Sequence, residues 1–227
     1  PVWEIWRNAL DLFDDLLSDA EPEVEELLTG HSGQGCTATL HRKALSGDAS
    51  HRLFLKLHEE VQWQQRDVIV YGKRHLQPRL VAWFGDAGTP YTYAGLTLEP
   101  STWTNPILEI KAVCEQLAGT KFNSVLLNLY RDGNDTVGWH SDDEPVLGRN
   151  PTIVSVSLGA TRRFDLRHKQ TKETVKVALG SGSALVMAGR TQAAWSHQVA
   201  RTKKVMEPRI NLTFRTVYPA RSSEHRL

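Results

Sequence analysis

His140-Ser141-Asp142, taken with His197 downstream, restricts what this chain can fold into more than any other stretch. Two imidazoles and one carboxylate are the donor set of the facial triad that holds non-haem iron(II) from one side and leaves the opposite coordination positions open. Residues i and i+2 share a face only on extended chain, so His140 and Asp142 can grip one ion if they lie on β-structure with Ser141 turned away. A helical pair would need a spacing of three or four. The tripeptide also arises by chance. Its meaning depends on what accompanies it.

The company is the run Pro208-Arg209-Ile210-Asn211-Leu212-Thr213-Phe214-Arg215. On a strand Arg209, Asn211 and Arg215 share one face, while Ile210, Leu212 and Phe214 form the other. The apolar face asks for burial, so the arginine face needs a polar setting. Two readings are open: ordinary surface, or a site for a small dicarboxylate, whose carboxylates match guanidinium forks bidentately. Asn128 and Tyr130 repeat the i, i+2 arrangement in the strand leading toward His140.

Four segments then resemble one family, in its order: Phe122 to Gly133, Trp139-His140-Ser141-Asp142-Asp143-Glu144, Ser155 to Arg162, and Pro208 to Arg215. The chain from about Val68 to about Tyr218 is similar to the AlkB family of Fe(II)/2-oxoglutarate dioxygenases, nearest the branch of the animal DNA-repair homologues and their bacterial relatives. The resemblance implies a double-stranded β-helix (jelly roll) with helices packed outside. It implies Fe(II) on His140, Asp142 and His197, with 2-oxoglutarate and O2 as co-substrates. Arg209, Tyr130 and Asn211 would hold the distal carboxylate of 2-oxoglutarate, and Asn128 and Arg215 would lie nearer the iron. The implied reaction hydroxylates an N-alkyl carbon of a base in DNA, or in RNA, and the hemiaminal collapses to formaldehyde and the repaired base.

Such a carbon is inaccessible inside a duplex, so the base is flipped out or already single-stranded. The resemblance nominates Tyr93 and the His140 imidazole as the two faces that sandwich it, and Glu144 as an acid facing it. It also matches Val70-Tyr71-Gly72 to a hairpin whose apolar wedge fills the gap left by a flipped base. Each has a plain alternative: Tyr93 in the sheet core, Glu144 in a turn set by Pro145, and Tyr71 packed across its hairpin. Basic residues cluster at Arg162, Arg163, Arg167, His168, Lys169 and Lys172, and again at Arg201, Lys203 and Lys204. Both clusters flank the iron motifs, so contact with DNA phosphates is the expectation, set against simple solvated surface.

The rest of the chain bounds these readings. A length of 227 residues with 40% hydrophobic content suits one domain with a sizeable core. The net charge of +1 excludes a globally basic nucleic-acid binder, so affinity for DNA has to be local. Cys36 and Cys114 are isolated, which suggests neither a disulfide framework nor zinc and fits a reducing compartment. No run reaches membrane-span length and no secretory signal is visible. A soluble monomer is expected, cytoplasmic in a bacterium or nuclear in a eukaryote, and not secreted.

Residues 1–65 read as a helical extension packed on the core, with one helix over 1–28 and another around Leu53, Phe54, Leu57 and Val61. Residues 66–220 read as the dioxygenase domain and 221–227 as a tail. Within the domain, Val68 to Lys73 reads as a strand whose return partner is Leu80 to Phe84. Asn105 reads as the cap of a helix closed by Gly119. The competing functions are an RNA or protein demethylase or a small-molecule hydroxylase on the same scaffold, and a catalytically silent nucleic-acid-binding module. A metal hydrolase or cupin-type isomerase could share the barrel but would not need the Arg209/Arg215 strand. The triad is an open site, so replacing Asp142 is expected to cost function and spare the fold.

Overall fold

Short alternating apolar runs separated by Gly and Asp turns become strands, most of which pair into two antiparallel sheets beside two separate two-stranded hairpins. The computed structural model describes residues 16–17, 23–29, 33–70, 72–93 and 96–218. In chain order the elements begin with β1 (Val24–Glu26), β2 (Cys36–His41), α1 (Gly47–Glu60), β3 (Asp67–Val70), β4 (Lys73–Leu76), β5 (Leu80–Gly85), β6 (Tyr91–Tyr93) and β7 (Leu96–Leu98). Then follow α2 (Asn105–Ala118), β8 (Ser124–Tyr130), β9 (Val137–His140), a 3-10 turn (Pro145–Leu147), β10 (Ile153–Gly159), β11 (Arg162–His168) and β12 (Thr174–Leu179). The last are β13 (Ala184–Gly189), the single turn α3 (Thr191–Ala194), β14 (Trp195–Val199) and β15 (Arg209–Arg215).

The larger sheet has the order β1-β2-β13-β10-β15-β8-β5 and the smaller β12-β11-β14-β9. Two sheets enclosing a site are the jelly roll that the family resemblance implies. Residue parity decides what goes where. On β15, Ile210, Leu212 and Phe214 join Val125, Leu127 and Leu129 of β8 in a core with Leu53 and Leu57 of α1 and Ile107 and Ile110 of α2. The helices therefore cover the outer face of the larger sheet. Each such side chain contributes about 1.5–3 kcal/mol by leaving water. The opposite parity, Arg209, Asn211, Thr213 and Arg215, is buried too, and faces the smaller sheet.

Local signals set the helix limits. Ser46 caps α1 by accepting a hydrogen bond from the Ala49 amide at 3.1 Å. Gly119 ends α2 in the left-handed region, at φ 61°. The N-cap of α2 is Thr104 and not Asn105, one residue earlier than the sequence suggests.

Three expectations change. The described part of residues 1–65 is not only helix outside the barrel, because β2 lies within the larger sheet between β1 and β13. Glu26 explains why the end of the expected first helix is extended instead: its carboxylate accepts from the Ala38 amide at 2.8 Å and the Thr39 hydroxyl at 2.7 Å, tying β1 to β2. Most of residues 1–22 lies outside the described residues. The partner of β3 is β4, in register Val70↔Lys73, with Gly72 at φ 73° in the turn. β5, expected as that partner, pairs with β8 in the larger sheet. Lys73 to Leu76 had no apolar alternation to mark it as a strand.

Candidate active site

The smaller sheet presents the metal donors. β9 and β14 pair with His140 opposite His197, and the two rings lie edge to face with centroids 4.3 Å apart. Asp142 follows just beyond the end of β9, its backbone amide donating to Gln192 Oε1 at 3.0 Å. One donor atom each from His140, Asp142 and His197 lies within 4.8 Å of the other two. Ser141 turns away and donates to the Trp195 carbonyl at 2.9 Å. His140 Nδ1 sits 2.8 Å from the Gly138 carbonyl. A carbonyl only accepts, so that nitrogen carries the proton and Nε2 is left for a metal.

Electrostatics keep His197 and Asp142 in their ligating forms. Burial pushes His197 down to about 3, helped by His140 and opposed by Asp142. It is neutral at physiological pH, as a ligand must be. Burial alone would raise the Asp142 carboxyl, but the positive charge of Arg215, with His197 and His140, outweighs it and holds the group below the usual carboxylate range. Arg215 Nη2 donates to Asp142 Oδ1 at 2.9 Å with both side chains buried.

Because His197 in the folded metal-free protein takes a proton only near pH 3, while its unfolded counterpart does so near 6.5, the folded state has its full share of this stability above pH 6.5 and loses it as pH falls toward 3. Melts of metal-free protein are expected to show that decline, and His197→Asn to flatten it. A wild-type curve level across the window would mean that the imidazole is not held neutral.

The larger sheet supplies the second half. Arg209, Asn211 and Arg215 on β15 and Asn128 and Tyr130 on β8 line, with the triad, one cavity of about 480 Å³. Arg209 is paired in register with Tyr130 and its guanidinium stands 5.2 Å from that ring. Its Nη2 donates to Ser157 Oγ at 2.9 Å, while Nε and Nη1 are buried without a hydrogen-bond partner. No ion pair among the described residues involves it. Burial pushes its pKa down, with Tyr130 opposing. A buried guanidinium with two idle donors fits a carboxylate arriving from outside the chain. Asn211 donates to Ser155 Oγ at 2.7 Å and the Val156 carbonyl at 2.9 Å.

Residues 37–215 match the profile of the 2OG-Fe(II) oxygenase superfamily. The chain belongs to that superfamily. Within it the relatives are AlkB proteins. The chain is 47% identical over 174 residues to the human alpha-ketoglutarate-dependent dioxygenase alkB homolog 3, covering 72% of this chain and 60% of that one. It is 43% identical over 183 residues to the mouse DNA oxidative demethylase ALKBH2, covering 75% and 76%. The chain thus spans about three fifths of the alkB homolog 3 sequences that it matches. The structure of OsALKBH1 shares the fold at TM-score 0.59 and 20% identity, over 79% of this chain and 97% of that one.

In this superfamily member, two imidazoles and a carboxylate fit iron(II), and the idle Arg209 donors fit the distal carboxylate of 2-oxoglutarate. Of the remaining expected residues, Glu144 lines the same cavity and also starts the 3-10 turn, its carbonyl accepting from the Leu147 amide at 2.9 Å. Its two readings are compatible. Gly72 is exposed in the hairpin turn. Tyr71 lies outside the described residues, as do the side chains of Val70 and Tyr93.

The basic clusters fare unevenly. Arg162 is buried, and its guanidinium binds three backbone carbonyls, so it is not a phosphate contact. Arg167 is outside the cavity and stacks on Trp139 at 4.1 Å. Lys203 and Lys204 are exposed on the β14–β15 connection, away from the cavity lining. Sequence reading passed over Arg79, which lines the cavity and donates to Asn128 Oδ1 at 2.7 Å and the Thr136 carbonyl at 3.2 Å. It also gave no role to Ser155, another lining residue, or to Ser157, which receives Arg209. The available signal was a polar residue on one parity of an otherwise apolar strand, the argument that found Arg209.

Proposed function

We propose that the protein repairs alkylated DNA by oxidative removal of N-alkyl groups from its bases. One observation carries this. The triad and the idle Arg209 donors line a single cavity of about 480 Å³ whose wall also includes Val68, His75 and Leu76 of the β3–β4 hairpin. Sequence identity to a DNA oxidative demethylase over three quarters of its length supports the substrate class.

Bound iron(II), 2-oxoglutarate and O2 supply an oxidation that places one oxygen atom in succinate, with loss of CO2, and the other in a C–H bond of the alkyl group. The hydroxylated carbon on nitrogen then leaves as an aldehyde; its hydroxyl proton goes to solvent where the alkylated ring was cationic, restoring the nitrogen lone pair, and to the nitrogen where the base was neutral. The protein has to place the alkyl carbon and keep water out. Tyr93 and the His140 imidazole take the two faces of the extruded base, and Glu144 suits the positive charge that alkylation puts on a ring. Arg167, Lys203 and Lys204 contact phosphates outside the cavity, where they would fix position without reading sequence. The chain acts as a monomer wherever its DNA is, in the bacterial cytoplasm or the eukaryotic nucleus. Among the described residues no helix is long and apolar enough to cross a membrane.

Mass spectrometry of methylated oligonucleotides after incubation with Fe(II), 2-oxoglutarate and ascorbate tests this, with single-stranded DNA, duplex DNA and RNA as separate arms. Loss of methyl with formaldehyde release from DNA is expected. Retained methyl on every nucleic acid, with 2-oxoglutarate still consumed on a small molecule or peptide, would refute the proposal. The same assay tests Val70-Tyr71-Gly72 as a wedge: Tyr71→Ala should reduce repair in duplex DNA far more than in a single strand, where nothing is unstacked. Equal losses on both, with a lowered melting temperature, would make Tyr71 a packing residue.

A further inference from the structure

Arg162 is a cation that the chemistry above does not use. It leaves the smaller sheet at the start of β11, is only 3% exposed and has no carboxylate partner among the described residues. Burying a guanidinium is costly, and three carbonyls meet that cost here. Nη1 donates to the Asp132 carbonyl at 2.9 Å, and Nη2 to the carbonyls of Asp135 at 3.0 Å and Ala200 at 2.9 Å.

The topology gives these acceptors their meaning. Asp132 and Asp135 lie in the connection from β8, which ends at Tyr130, to β9, which begins at Val137 and carries His140. Ala200 opens the connection from β14 to β15, which runs from His197 to Arg209. These two crossings join the 2-oxoglutarate strands of the larger sheet to the metal strands of the smaller one. They also touch each other: the Thr202 amide donates to the Gly133 carbonyl at 2.9 Å, and Arg201 Nε to Asn134 Oδ1 at 3.0 Å. The turn before Arg162 leans on the same end, where the Ala160 amide donates to the Pro208 carbonyl at 3.0 Å. Finally, the Arg162 guanidinium lies 5.6 Å from the Tyr130 ring, which Arg209 approaches to 5.2 Å.

We propose that Arg162 is a positioning residue for 2-oxoglutarate: it pins the two crossings together and holds Tyr130 in place beside Arg209. The inference rests on the reading of Arg209 as the carboxylate ligand. A planar fork with five donors can serve three carbonyls and still present its face to a ring, which an ammonium cannot do.

The test compares wild type with Arg162→Lys and Gly133→Ala. The second variant loosens the same crossings without touching Arg162, because a Cβ on Gly133 would lie 2.5 Å from the Thr202 carbonyl oxygen and 2.9 Å from that of Lys204. 2-Oxoglutarate is titrated into manganese(II)-loaded protein, and KM is measured separately for 2-oxoglutarate and for the oligonucleotide. Both variants should bind 2-oxoglutarate on the order of tenfold more weakly, with the oligonucleotide KM unchanged. Wild-type affinity for 2-oxoglutarate in either folded variant overturns the proposal, as does a raised oligonucleotide KM with 2-oxoglutarate unaffected. If Arg162→Lys does not fold, Gly133→Ala decides. Wild-type protein that bound no 2-oxoglutarate would overturn the reading of Arg209 itself, and this inference with it.

Discussion

Asp142→Ala is expected to bring 2-oxoglutarate turnover to background and, contrary to the sequence expectation of a spared fold, to destabilise the protein. The first effect follows from the donor set: without the carboxylate, two imidazoles remain and the face that holds the metal is incomplete. The second follows from the contact with Arg215. Both side chains are buried and the pair is 2.9 Å long, so removing one partner strands charge inside the barrel at a cost of roughly 3–5 kcal/mol. Asp142→Asn keeps the hydrogen bond but not the charge, since its amide oxygen can still accept from Arg215, so it should lose turnover with a smaller loss of stability than Asp142→Ala. Succinate formation and thermal melts of both variants are the measurements. Wild-type turnover in Asp142→Ala would remove Asp142 from the triad. An unshifted melting temperature in Asp142→Ala would mean that the ion pair adds nothing to stability.

Arg209→Met is expected to move binding and stability in opposite directions. In the free protein the guanidinium is buried with Nε and Nη1 idle; even a buried ion pair can often be replaced by apolar side chains without loss of stability, and a lone buried charge lacks the pair's attraction to offset its desolvation. The melting temperature without ligand should therefore hold or rise. Affinity for 2-oxoglutarate should collapse, since losing a buried charge contact costs about 2–5 kcal/mol, roughly thirtyfold to several thousandfold. Arg209→Lys keeps the charge without the fork and should lose about 1.5–3 kcal/mol of that affinity. Wild type should gain thermal stability as 2-oxoglutarate is added, and the Met variant should not. A destabilised Met variant that still bound 2-oxoglutarate normally would show Arg209 to be scaffold.

What the sequence determined by itself was set by parity and composition. The i, i+2 spacing of His140 and Asp142 required extended chain, and the alternation around Arg209, Asn211 and Arg215 required a strand with one apolar and one polar face. Both are local properties, since a strand turns successive side chains to opposite sides whatever surrounds it. The same logic placed the stripe of α2 against the sheet and Gly119 at its end.

Tertiary structure alone decided how the polar face is used. Alternation could not say that Arg215 meets Asp142, because Asp142 lies just past the end of β9 and Arg215 on the opposite sheet, and they come together only when the barrel closes. Nor could it tell Arg162 from its neighbour Arg163, adjacent in one basic run. The first is buried on three carbonyls, and the second faces outward to pair with Asp165. β2 and β4 escaped notice for a related reason. Strand formation in a short segment depends less on its own residues than on the edge it finds to pair with, and that edge belongs to chain far away in sequence.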